Sequence, residues 1–188
     1  MRRRVLAAML LLPLALLLAG AETRRAGEGR SPAGAAGEAY ATLSWDALLP
    51  PGWDPAAPLR GLDFSHLDDA DPRAIAALER IRQAWDEAPL APGLNGRKVR
   101  LPGFAIPLER QGDLTREYLL VPYFGACIHT PPPPANQMIH VIAREPVSGL
   151  QTLDAVWVSG TLGVGRVDMG LGMAGYRLVA DLTRPYTR

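Results

Sequence analysis

Cys127 and His129 lie two positions apart in the chain. In extended backbone, residues i and i+2 point to the same side, so this spacing sets a thiol beside an imidazole. Met138 and His140 repeat the spacing a little further on and would share one face of a strand. A Cys, two His and a Met form a ligand set suited to soft or borderline ions, with Zn(II) and Cu(I) or Cu(II) foremost. The two pairs are separated by Pro131, Pro132, Pro133 and Pro134. Proline fixes its own φ, so such a loop has little entropy to lose when its flanks take hold of an ion. The pattern is not a zinc-finger pattern, which would show paired CxxC or HxxxH spacings.

The same residues support two other readings. A charged imidazole lowers the pKa of a neighbouring thiol, so Cys127 with His129 as base could begin thiol-dependent chemistry, with Asn136 orienting the ring. Nothing in the sequence supplies an oxyanion hole or a substrate pocket, and no residue is assigned a catalytic role. Alternatively Cys127 is a packed core residue, since free Cys is among the most buried residue types. In that case the segment Tyr123, Phe124, Pro131–Pro134, Asn136 and Gln137 is a protein-binding surface, its prolines in polyproline II conformation docking in an aromatic groove of a partner.

Other clusters carry less. His66 follows Phe64 and Ser65 in a loop-like stretch. Asp68-Asp69-Ala70-Asp71-Pro72 lacks the spacing and distal Glu of a calcium loop and reads as a turn ending in a helix cap. The glycines from Gly160 to Gly175 lack the Lys-Ser/Thr of a phosphate loop and read as a strand end and a loop.

One helix and a series of strands must position these residues. Asp71 is a sound N-cap and Pro72 suits the first helical position, predicting a helix over 72–87 with Ile75, Leu78, Ile81 and Trp85 on one apolar face. Strand signals follow at Lys98–Leu108, Arg116–Phe124, Gln137–Ala143, Ala155–Val164 and Gly175–Leu182, with Gln111-Gly112-Asp113 as a hairpin loop. Gly103 and Gly160 sit where strands could bend sharply. A mainly β domain with one N-terminal helix is expected, as a small five-stranded OB-like Greek-key barrel or else a β-sandwich. Trp45 and Trp53, in a Pro-rich arm, are expected to pack onto it.

The chain start reads as a secretory signal over residues 1–21. Arg2–Arg4 precede an apolar run from Val5 to Leu18, and Ala19-Gly20-Ala21 offers a cleavage site. The run is shorter than the roughly 20 apolar residues of a comfortable membrane span, so no integral membrane segment is expected after cleavage. Residues 22–42 lack apolar periodicity and read as a disordered linker, with a single domain over 43–188. Cleavage takes three arginines from the 20 basic residues against 19 acidic ones, turning a net charge of +1 into about −2. The remaining cations are scattered, which leaves no basic patch for nucleic acid or a membrane surface. The single Cys rules out an internal disulfide in a protein expected in the periplasm or secreted.

Residues 120–129, Leu-Val-Pro-Tyr-Phe-Gly-Ala-Cys-Ile-His, with Pro131–Pro134 and Asn136-Gln137 after them, resemble a bacterial family of exported proteins of unknown function, DUF3299. The resemblance extends from about Leu43 to the C-terminus. It implies an accessory protein working beside ABC-type transport or metal-related systems, with an exported or inner-membrane transport component as partner. Members of the family often carry a lipoprotein cysteine. This chain has Ala21 at that place, so a lipid anchor is not implied.

Overall fold

The computed structural model describes residues 40–61, 68, 70–126 and 132–187. The expected signal segment, His66, Cys127, His129 and Pro131 lie outside the described residues.

The strands are β1 (Ala41–Thr42), β2 (Arg97–Gln111), β3 (Leu114–Val121), β4 (Ile139–Ser148), β5 (Asp154–Asp168) and β6 (Met173–Pro185). They hydrogen-bond in the order β1-β2-β3-β4-β6-β5, and β5 returns to pair with β2, which closes a five-stranded barrel. Only β4 and β6 run parallel within it. This is the OB-like arrangement. Closure leaves no long exposed edge; β1 adds in parallel to β2 through Ala41↔Val99 and Thr42↔Arg100.

Two glycines make the closure possible. The first half of β2 pairs with β5 and the second half with β3, and the two stretches overlap at Phe104 and Ala105, just after Gly103. A Cβ on Gly103 would lie 2.7 Å from Leu120 Cγ and 2.9 Å from the Val121 carbonyl oxygen. Gly160 sits at a register shift between β5 and β6, where a Cβ would lie 2.2 Å from the Val179 carbonyl oxygen. In the hairpin between β2 and β3, Gly112 adopts φ +64°, which suits a tight two-residue turn.

Alternation along the strands divides the side chains into two sets. Leu101, Leu120, Tyr118, Val158, Tyr176 and Leu178 fill the barrel. Burial pushes the Tyr118 phenol pKa well up, and its hydroxyl pairs with Thr183 Oγ1 at 2.7 Å. A second apolar cluster, Ile106, Leu119, Val121, Ala126, Met138 and Ala174, gathers on the outer side.

Helix α1 (Pro72–Asp86) begins as expected, with Asp71 Oδ1 accepting from the Arg73 backbone N–H at 2.8 Å. Its far end is held by Arg166 of β5, which donates to the Asp86, Glu87 and Ala88 carbonyl oxygens at 3.2, 3.0 and 2.7 Å. The expected apolar face is corrected: Ile75 and Leu78 are exposed, and Ala77 is the buried residue. The helix packs on the short 3-10 turn Ala57–Leu59 instead of lying along the barrel, so only a narrow stripe is covered. Trp85 Nε1 donates to the Pro55 carbonyl at 2.9 Å.

The last residues of the segment 22–42 are paired in the structure. Tyr40 donates to Asp181 Oδ2 at 2.9 Å and β1 follows at once, both within the segment 22–42 expected to be disordered. Backbone pairing with β2 gives this stretch a place that its composition does not advertise.

Candidate functional site

β3 ends at Val121, and the chain turns through residues 122–126, with Gly125 at φ +85°. The strand therefore stops before Phe124, where the sequence pattern carried it, and six residues short of Cys127. The expected Cys127 and His129 pair lies outside the described residues. Tyr123 and Phe124 remain exposed, and Phe124 meets Phe104 edge-on at 5.8 Å.

The far side of this connection is well built. Pro133, Pro134, Ala135 and Asn136 are buried, followed by the 3-10 turn Ala135–Gln137 that leads into β4. Asn136 Nδ2 donates to the Pro89 carbonyl at 3.1 Å, and Gln137 Nε2 to the Trp45 carbonyl at 3.1 Å. Pro132 packs so close to Gly172 that a Cβ there would lie 2.9 Å from the Pro132 Cβ. Burial corrects the docking reading for Pro133, Pro134 and Asn136, which offer no surface to a partner. Asn136 is likewise held to Pro89 through Nδ2, while its buried Oδ1 has no hydrogen-bond partner among the described residues.

Met138 is fully buried in the outer cluster. His140 follows on the same side of β4, across from Leu119 on β3 and Arg177 on β6. It is 5% exposed. Its Nε2 lies 3.0 Å from Glu117 Oε2, whose side chain reaches solvent. Its Nδ1 is buried and has no hydrogen-bond partner among the described residues. A carboxylate on one ring nitrogen fixes the tautomer and the ring plane, and in the neutral ring it leaves the other nitrogen with a free lone pair. This is how proteins commonly orient a histidine that will bind an ion.

The sequence reading named His140 and Met138 and did not name Glu117, which the structure sets beside His140. The available signal was a lone acid among Leu119 and Val121 on one strand face, which matters only once the register to β4 is known. Among the described residues no three His, Cys, Asp or Glu side chains converge as a complete metal site. The described part thus holds one oriented imidazole beside an apolar wall.

A family model described as "protein of unknown function (DUF3299)" matches residues 45–185. The chain is also similar to the crystal structure of a DUF3299 family protein from Pseudomonas aeruginosa PAO1. That protein is 35% identical, with a TM-score of 0.63, over 80% of this chain and 99% of the other. No curated protein matches the chain.

Proposed function

The chain belongs to the DUF3299 family, and we propose that it is an exported, non-enzymatic accessory protein that binds a zinc or copper ion at His140. The observation that carries the reading is the His140 ring: Nε2 held by Glu117, and a buried Nδ1 without a partner among the described residues. Leaving such a nitrogen unsatisfied costs about 1–3 kcal/mol, a standing cost that ligand binding would remove. Cys127 and His129, on the connection that leads into β4, supply a thiolate and a second imidazole, and the Met138 thioether lies two residues from His140. In this reading Tyr123 and Phe124, exposed on the same connection, are the contact for a transport component.

The test is the metal content and affinity of the purified protein beside Cys127→Ser, His129→Ala and Glu117→Gln. The reading expects stoichiometric zinc or copper, lost in the first two variants. Glu117→Gln should weaken it by about 10–100-fold, the usual effect of removing a carboxylate behind a ligating histidine. Absence of binding at micromolar metal with all variants folded would dismiss the reading. Export is tested separately by fractionation: a chain beginning at Glu22 in the periplasmic fraction is expected, and a membrane-bound chain retaining residues 1–21 would refute it.

A further inference from the structure

The outer side of β2, β5 and β6 collects aromatic rings in register. Phe104 lies across from Ala155, and the Tyr186 backbone N–H donates to the Ala155 carbonyl at 2.8 Å. The next row is Pro102, Trp157 and Arg184. Trp157 stacks on Tyr186 with centroids 5.6 Å apart, and the Arg100 guanidinium lies 5.1 Å from the Trp157 ring centre. Trp45 stands at the side, its plane fixed by a 2.7 Å hydrogen bond from Nε1 to the Pro102 carbonyl.

Between Trp45, Phe104, Pro122 and Tyr186 runs a groove of about 260 Å³ with Ala155 among its lining residues. A second hollow of about 360 Å³, walled by Leu150, Val156, Thr183, Arg184 and Pro185, shares Ala155 with it. Adjoining at Ala155, they make a track with an apolar end beside Trp45 and Phe104 and a more polar end beside Ser148, Asp154, Thr183 and Arg184. A polyproline II strand fits that form: it is stiff, solvates its own backbone and presents a proline every third residue, about 9 Å apart. Aromatic-lined grooves are the usual receptor for it, because little entropy is lost on docking.

Charge narrows the ligand. Arg100 and Arg184 flank the track, and neither forms an ion pair with a described residue; Arg100 Nε donates to Thr42 Oγ1 at 2.8 Å. The acid on the rim, Asp154, is turned to the Gln151 backbone N–H at 2.8 Å. A sugar could also stack on Trp157, but sugars need a fringe of polar side chains for their hydroxyls. The end of the track beside Trp45 is walled by carbon, and the Trp45 donor is already committed to Pro102.

We propose that this track docks an extended proline-rich segment of a partner protein, with acidic residues of that segment set against Arg100 and Arg184. The proposal does not depend on the metal reading. It is tested by calorimetric titration of the purified protein with three synthetic peptides of alternating Glu-Pro, Lys-Pro and Glu-Ala. The Glu-Pro peptide binds saturably and the Glu-Ala peptide does not. Trp157→Ala weakens the Glu-Pro peptide by about tenfold, equivalent to about 1.4 kcal/mol. Arg184→Glu, a change at an exposed side chain that leaves the fold intact, reverses the order in favour of Lys-Pro. The proposal is overturned by no saturable binding of the Glu-Pro peptide, by equal binding of the Glu-Ala peptide, or by saturable binding of a chito-oligosaccharide in its place.

Discussion

Replacing His140 with Leu separates a ligand from a structural histidine. In the metal-free protein two effects oppose each other. The substitution removes a buried Nδ1 that lacks a partner among the described residues, a group whose burial costs about 1–3 kcal/mol. It also breaks the contact with Glu117, but that carboxylate is 39% exposed and water can take over. Leu fits the company of Leu119 and Met138 on this side of the sheet. The net change is expected within about 1 kcal/mol, or roughly 2–4 °C in the unfolding midpoint of a chain this size. Metal changes the comparison. At a free concentration about a hundredfold above Kd, binding stabilises the native state by about 2.7 kcal/mol, which raises the midpoint by roughly 5–11 °C. Thermal unfolding with chelator and with zinc, for wild type and His140→Leu, should show that rise in the first and none in the second. A rise of equal size in the variant would refute the role of His140. So would a metal-free loss above about 3 kcal/mol, since that is the signature of a well-satisfied buried polar group.

Gly160→Ala should cost about 3 kcal/mol or prevent accumulation of folded protein, because the new Cβ meets backbone at Val179 and Ala180 that cannot swing away. Gly165→Ala, with nothing within 4 Å, should stay within about 0.5 kcal/mol, both changes being read by urea titration. Hydrogen bonds from the Arg73 side chain and backbone hold the Asp71 carboxyl down to about 2, below its unfolded value of about 3.9. A depressed folded pKa means that the cap contributes fully above the unfolded value and is lost as pH falls through about 2, so Cα chemical shifts of residues 72–75 should move toward coil only in that acid range.

What was legible in the sequence was local. Asp71-Pro72 announces the start of α1, and Gln111-Gly112-Asp113 announces the β2–β3 turn, because capping and turn chemistry are read from adjacent residues. Gly103 and Gly160 marked the bends, and five strand signals sufficed for an OB-like barrel. What depended on distant partners was not legible. Ile75 and Leu78 keep perfect helical spacing yet face solvent, since periodicity names a face without naming what covers it. The burial of Pro133 and Pro134 depends on the fold around them, and their composition alone suggests an exposed arm. The Glu117–His140 pair and the Phe104, Trp157 and Tyr186 rows each depend on strand register, which a one-residue slip would undo.

The barrel interior is filled by Tyr118, Tyr176 and their neighbours, and both proposed sites lie on its outer side or at its rim. The two proposed sites lie on different strands, but they share one wall. Phe104 packs against the outer cluster that contains Met138, lines the aromatic groove and touches Phe124 on the connection that leads to Cys127. Substitutions can therefore be sorted by reach. Trp157→Ala should weaken the peptide and leave metal affinity within about twofold, and His140→Leu should do the reverse, as residues without shared partners act independently. Phe104→Ala should weaken both, since one ring supports both surfaces. If Phe104→Ala impaired only one of them, the shared wall would carry no energy. If Trp157→Ala weakened metal as strongly as peptide, the two sites would be one, and the separate assignments to His140 and to the aromatic track would fall together.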